Sequence, residues 1–183
     1  MELDAISGVT GDRALHAALK RFGPEASAQA ALRTFAALFA PGAPLTEPAF
    51  EQHLWARLQA LHDLDAAEGA AWAPGVSSDL RAPTFSMSIA GIAYYVVGLH
   101  PNASRTARRF WRPALIFNSH AQFEALKADG RYATMQKIIR ARDRDNAGSI
   151  NPMLSDFGTR SEARQYSGRA VGDDWQCPLR VRS

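Results

Sequence analysis

Two clusters of side chains in the C-terminal half are of types and spacings that can do chemistry. The first is the run His100-Pro101-Asn102-Ala103-Ser104-Arg105-Thr106-Ala107-Arg108-Arg109-Phe110-Trp111-Arg112. A helix starting near Ser104 would put Arg105, Arg108, Arg109 and Arg112 on one face, at three- and four-residue intervals. Such a face is either solvated and salt-bridged or a clamp for carboxylate or phosphate, because a guanidinium binds both in bidentate fashion. The second is the tail, with Asp156, Glu162, Arg164, Gln165, Tyr166 and Arg169 between Pro and Gly turns. These polar groups either satisfy loop backbone or line a pocket for a small molecule carrying both charges.

Histidine adds a further possibility. Of five histidines, His16, His53 and His62 fall in scaffold helices, whereas His100 and His120 end apolar, strand-like runs. A histidine held this way either packs as an ordinary side chain or ligates a metal through one ring nitrogen while a hydrogen bond fixes the other. The single cysteine, Cys177, excludes an internal disulfide and a zinc cluster. It reads as a small buried residue or a thiolate ligand. The phosphate-loop, dinucleotide-fingerprint, zinc-protease and nucleophile-elbow motifs are all lacking.

The elements that must position these groups follow from periodicity. The Ala-rich segment from Pro24 to Ala40 reads as a helix starting at Pro24 and closed by Pro41-Gly42. Thr46 caps a helix with Phe50, Leu54, Leu58 and Leu61 in one apolar stripe. A loop over Ala73 to Pro83 leads to the alternating run from Phe85 to Ile89, which Ala90-Gly91 joins to the strand-like Ile92 to Leu99 as a hairpin. Ala114 to Phe117 forms a third strand, Asn118-Ser119 caps a helix over His120 to Ala128, and a second amphipathic helix follows Gly130 and stops near Gly148. The expected fold is α+β with a small antiparallel sheet, or all-α if the hairpin does not form. A length of 183 residues suits one domain, divided into a helical scaffold over 1–72 and a functional region over 85–178.

Charge separates the two halves. Residues 1–100 hold 6 Lys+Arg against 10 Asp+Glu, and residues 101–183 hold 15 against 8. A basic half attracts anions: phosphate, nucleic acid, or the carboxylates of a cofactor or substrate. The N-terminus lacks a basic, apolar leader, and no stretch approaches the roughly 18 apolar residues of a membrane span. A cytoplasmic protein that does not engage membranes is expected.

Read together, GlyLeuHisProAsnAlaSerArg at 98–105, ArgArgPhe at 108–110, PheAsnSerHisAlaGlnPhe at 117–123, AsnProMetLeu at 151–154 and SerGluAlaArgGlnTyrSerGly at 161–168, followed by TrpGlnCysPro, resemble the YqcI/YcgG family. The resemblance runs from about Phe85 to Pro178, in several blocks of the same order. It implies a haem b-dependent N-hydroxylase acting on a guanidino or amino group of an arginine-like molecule. On that reading His100 is the proximal iron ligand, with His120 and Cys177 as alternatives. Ser104, Arg105, Arg108 and Arg109 hold the cofactor, and Asp156, Glu162, Arg164, Gln165 and Tyr166 meet the substrate or the bound oxygen. Electrons come from a separate reductase or from peroxide, and a homodimer is left open. Two alternatives stand beside it: a haem-binding protein without turnover, and a phosphate- or nucleic-acid-binding module using the same arginines. No base-reading module accompanies the arginines, so nucleic acid is not the expected partner.

Overall fold

The computed structural model describes residues 1–27, 32–149, 151, 153 and 155–182. At its centre is a mixed five-stranded sheet built from β1 (Glu2–Leu3), β2 (Phe35–Phe39), β3 (Met87–Ile89), β4 (Ile92–Leu99) and β5 (Ala114–Ser119). The order across the sheet is β1-β2-β5-β4-β3, antiparallel except for the parallel β1–β2 pair. Helices α1 (Asp12–Ser27) and α2 (Glu47–Glu68) pack on one face, and α3 (His120–Ala128) and α4 (Arg131–Ala147) lie on the other side; a short helix, α5 (Ala163–Tyr166), packs against β4. The fold is α+β, as the sequence indicates. Among the described residues no helix is long and apolar enough to cross a membrane.

The scaffold helix forms for the expected reasons. The Thr46 hydroxyl accepts from the Ala49 amide, Pro48 stands in the first turn, and Gly69 closes the helix in the left-handed region. Phe50, Leu54, Leu58 and Leu61 are completely buried. The hairpin also forms, through a two-residue turn in which both Ala90 (φ 53°) and Gly91 (φ 72°) have positive φ. Ala90 is strained there, and its amide donates to both Asp65 carboxylate oxygens at 2.9 and 2.8 Å, which holds the turn against α2.

The first third is less helical than its alanine content suggests. Residues 35–39 form a strand instead of continuing a helix from Pro24, and Pro24 lies inside α1, whose first residue is Asp12. PheAlaAlaLeuPhe has no strong local preference, and pairing on both sides with β1 and β5 decides for strand. Residues 28–31 of that expected helix lie outside the described residues.

Alternation along β4 divides the sheet's two faces. Tyr94 and Val96 are fully buried against the α1/α2 side, with Leu115 and Phe117 of β5 in the same core. Tyr95 and Val97 point the other way, into a cavity. Gly98 permits the close approach of three elements: a Cβ there would stand 2.7 Å from Phe50, 2.8 Å from Leu54 and 2.9 Å from the Tyr166 carbonyl oxygen.

Candidate functional site

The expected arginine helix is only a single 3₁₀ turn, Thr106–Arg108, and its four guanidinium groups have separate tasks. Arg105 pairs with Asp143 at 2.9 Å and donates to the Ser149 carbonyl. Arg108 is buried and donates to the carbonyls of Gly98, Gln165 and Tyr166, tying the tail to β4. Arg109 reaches the Ala103 and Ser104 carbonyls, and Arg112 pairs with Glu2 while lying over the Trp111 ring. Backbone carbonyls and carboxylates thus satisfy groups that the sequence offers as an anion clamp. Ser104 is likewise committed, its amide and hydroxyl both donating to Glu47.

His100 is buried, its ring stacked on Phe50 with centroids 4.3 Å apart. Its Nδ1 has no hydrogen-bond partner among the described residues, and burial lowers its pKa below the usual histidine value. The space it adjoins is a crevice of about 20 Å³, too small for any cofactor. Cys177 packs beside the hydrophobic core, and burial pushes its thiol up to about 12, so a thiolate is disfavoured. Neither residue borders the large cavity.

That cavity has a volume of about 530 Å³, in the range of small-molecule sites. It lies between the β4/β5 face of the sheet and the α3–α4 pair, and the tail closes one side. Of the expected residues, Arg105, Arg108, His120, Asp156, Glu162 and Gln165 line it; His100, Ser104, Arg109, Arg164 and Tyr166 do not. Arg164 instead ties the tail together through the carbonyls of Val171, Gly172 and Trp175. Pro152 and Leu154 of the AsnProMetLeu block lie outside the described residues.

The strongest chemical feature of the cavity is His120 with Glu162. His120 begins α3 directly after β5, and Glu162 immediately precedes α5, so strand, helix and tail meet at this point. The His120 Nε2 stands 3.0 Å from one Glu162 carboxylate oxygen, 3.2 Å from the other and 2.9 Å from the Ser86 hydroxyl. Their side chains are 12% and 6% exposed, so the pair is held nearly dry while still bordering the cavity. Tyr166 stands behind it: its hydroxyl donates to Glu162 at 3.2 Å and accepts from the Met87 amide. Burial raises the Tyr166 pKa well above the ordinary phenol value, so it stays a proton donor. Beside them the Tyr95 hydroxyl donates to Gln165, whose amide in turn reaches Ser155. Asp156 is more exposed and is bound by Gln136 and Arg140.

The remaining walls were not singled out by the sequence. Tyr95, Val97, Phe123, Tyr132, Met135, Ile139 and Phe157 supply apolar and aromatic surface, and Thr34 and Asn118 form a polar edge in which the Thr34 hydroxyl donates to Asn118. The signal was present in β4, where alternate residues must leave the core, but only the helices on the far face show where they lead. Arg33 and Arg142 also line the cavity, and neither guanidinium has a hydrogen-bond partner among the described residues.

Comparison with known proteins agrees with this arrangement of blocks. The YqcI/YcgG family pattern matches residues 2–180. This chain belongs to the YqcI/YcgG family. The match extends membership across the N-terminal third, beyond the Phe85 to Pro178 blocks that carry the resemblance. No curated protein and no solved structure matches the chain.

Proposed function

We propose that this YqcI/YcgG protein is a haem-dependent oxygenase that N-hydroxylates a guanidino or amino group of an arginine-like small molecule bound in the cavity. The observation carrying this reading is the His120–Glu162 pair in the wall of a cavity of about 530 Å³. Metal-bound histidines characteristically give their other ring N–H to a carboxylate, which fixes ring orientation and raises ligand basicity. Glu162 and Ser86 both meet the Nε2 nitrogen of His120, which leaves Nδ1 as the nitrogen that would hold a metal.

The residues present fit haem b, which His120, not His100, would hold. Among the described residues no group of three or more His, Cys, Asp or Glu side chains could hold a bare metal ion, whereas a haem would need only one protein ligand. Val97, Met135 and Ile139 offer apolar surface to a macrocycle, and Arg33 and Arg142, unpaired among the described residues, suit its propionates. Arg105 and Arg108 serve instead to build the wall. When bound, a haem would supply the oxygen activation, with either oxygen plus a separate reductase or peroxide as the co-substrate. The protein's own share is to hold the His120 ring, exclude water with the Tyr95, Phe123 and Phe157 rings, and offer the Gln165 amide and Tyr95 hydroxyl as polar orienting groups.

The test is reconstitution of the purified full chain with haem, followed by ferric, ferrous and ferrous-CO absorption spectra of wild type, His120→Ala, His100→Ala and Cys177→Ala. Loss of a well-formed Soret band in His120→Ala alone is expected. A wild-type chain that stays colourless removes the oxygenase, and a carrier or sensor would keep the spectrum while showing no substrate-dependent turnover. Steep salt-dependent binding to nucleic acid without a Soret band would favour an anion-binding module instead.

A further inference from the structure

Near the α3–α4 turn, three cavity-lining side chains surround a cation that the protein itself supplies. The Lys127 ammonium donates to the Glu124 carboxylate at 2.7 Å. It stands 5.5 Å from the centroid of the Tyr132 ring and 5.9 Å from that of Phe157. A carboxylate with two aromatic rings inside about 6 Å is the composition that recognises ammonium and guanidinium groups. Lys127 holds this place weakly: its side chain is 38% exposed and that of Glu124 61%, and exposed ion pairs of this kind contribute little. The lysine stem is long and flexible, so its head can swing into solvent without disturbing α3.

Phe157 connects this cluster to the chemistry. Its ring packs edge to face against His120, centroids 5.0 Å apart, so one side chain touches both the Lys127 cluster and the His120–Glu162 pair. All of these residues line the same cavity. We infer that Glu124, Tyr132 and Phe157 form a cation subsite at the cavity's edge, with Lys127 as a placeholder that a cationic group of the ligand displaces. The ligand class that satisfies both ends carries two positive groups: the guanidino or amino group that the function proposed above places deep in the cavity, and a second for the Glu124 box. An amino-guanidine or a diamine has this chemistry, and a guanidino acid lacks the second charge. The deep group and the choice of a guanidino probe rest on the function proposed above.

The test is calorimetric titration of the full chain, with and without added haem, using agmatine and 5-guanidinovalerate, which replaces the ammonium by a carboxylate on the same four-methylene chain. Glu124→Gln and Phe157→Ala should each weaken agmatine binding by about two- to five-fold, and Phe157→Tyr should keep it, because the ring is retained. Lys127→Gln should tighten agmatine binding by a similar factor, since no internal cation competes. For 5-guanidinovalerate, Glu124→Gln should leave binding unchanged or improve it by removing a like charge. Absence of agmatine binding by wild type at millimolar concentration, or equal shifts for both probes across the variants, overturns the subsite. A chain that takes up no haem yet shows the predicted pattern retains the subsite and loses the oxygenase reading. A haem-loaded chain without the pattern does the converse.

Discussion

The two faces of the sheet are built by the same strands and differ in nearly everything else. Against α1 and α2 the sheet is closed and dry: Tyr94, Val96, Leu115 and Phe117 meet Leu15, Leu19, Leu54 and Leu58 with no exposure at all. Buried ion pairs stand on that side, His16 with Asp65 at 2.5 Å and Arg57 with Asp12 at 3.0 Å, beside indole nitrogens of Trp55 and Trp72 that have no partner among the described residues. Against α3 and α4 the same strands leave a cavity of about 530 Å³, α4 exposes Ile138 and Ile139 to about half, and Arg33 and Arg142 have no partner among the described residues. Close packing is concentrated on one face and the candidate site on the other, so the open face can carry a cavity without giving up the core.

Truncation in each face should break or sharpen this contrast most clearly. Leu58→Ala is expected to cost about 3–5 kcal/mol, and Ile139→Ala under about 1 kcal/mol, because only the first leaves a cavity that its neighbours cannot fill. Urea melts of the two variants measure this, and equal losses would end the division of labour. Asp65→Ala comes next, at about 3 kcal/mol, since it strands both His16 and the strained Ala90 turn. On the other face, Glu162→Gln should destabilise less than Asp65→Ala yet lower haem affinity by about ten- to one-hundred-fold, as expected for a residue that orients a ligand. Titration followed at the Soret band, set beside the melts, separates the two effects.

Acid should act chiefly through the packed side. Burial lowers the pKa of His62 and His100, so each is neutral in the fold and takes up a proton more readily once unfolded. Their contribution is fully present above the ordinary histidine pKa of about 6.5 and is lost as pH falls through the lowered values. Melts at pH 7.5 and 5.5 should show a loss that shrinks in His100→Gln. The smallest effect concerns Cys177: with its thiol raised to about 12, it should resist alkylation at pH 8 in the native protein and react readily in denaturant. Fast native labelling would place it on an open surface.

Some of the structure is decided locally and was therefore legible. The Thr46 cap and its apolar stripe, the Ala90-Gly91 hairpin, the third strand and the Gly148 stop all depend on neighbours in sequence, through capping, period and turn chemistry. Family membership was legible for a similar reason, since it rests on ordered blocks that need no folding to be compared. The strand at Phe35–Phe39 was not, because its alanines favour helix while the flanking phenylalanines favour strand, and only pairing with β1 and β5 decides between them. Nor was the fate of the arginines, because a guanidinium looks free in sequence until the carbonyls of Gly98, Gln165 and Tyr166 converge on it from distant segments. The different surroundings of His100 and His120 are of the same kind. Both end strands of one sheet, but His100 turns onto Phe50 whereas His120 turns towards Glu162, 42 residues further along the chain. Sequence reading favours His100 because the arginines follow it; only the helices and the tail laid over the sheet's second face place His120, and not His100, beside a cavity and a carboxylate.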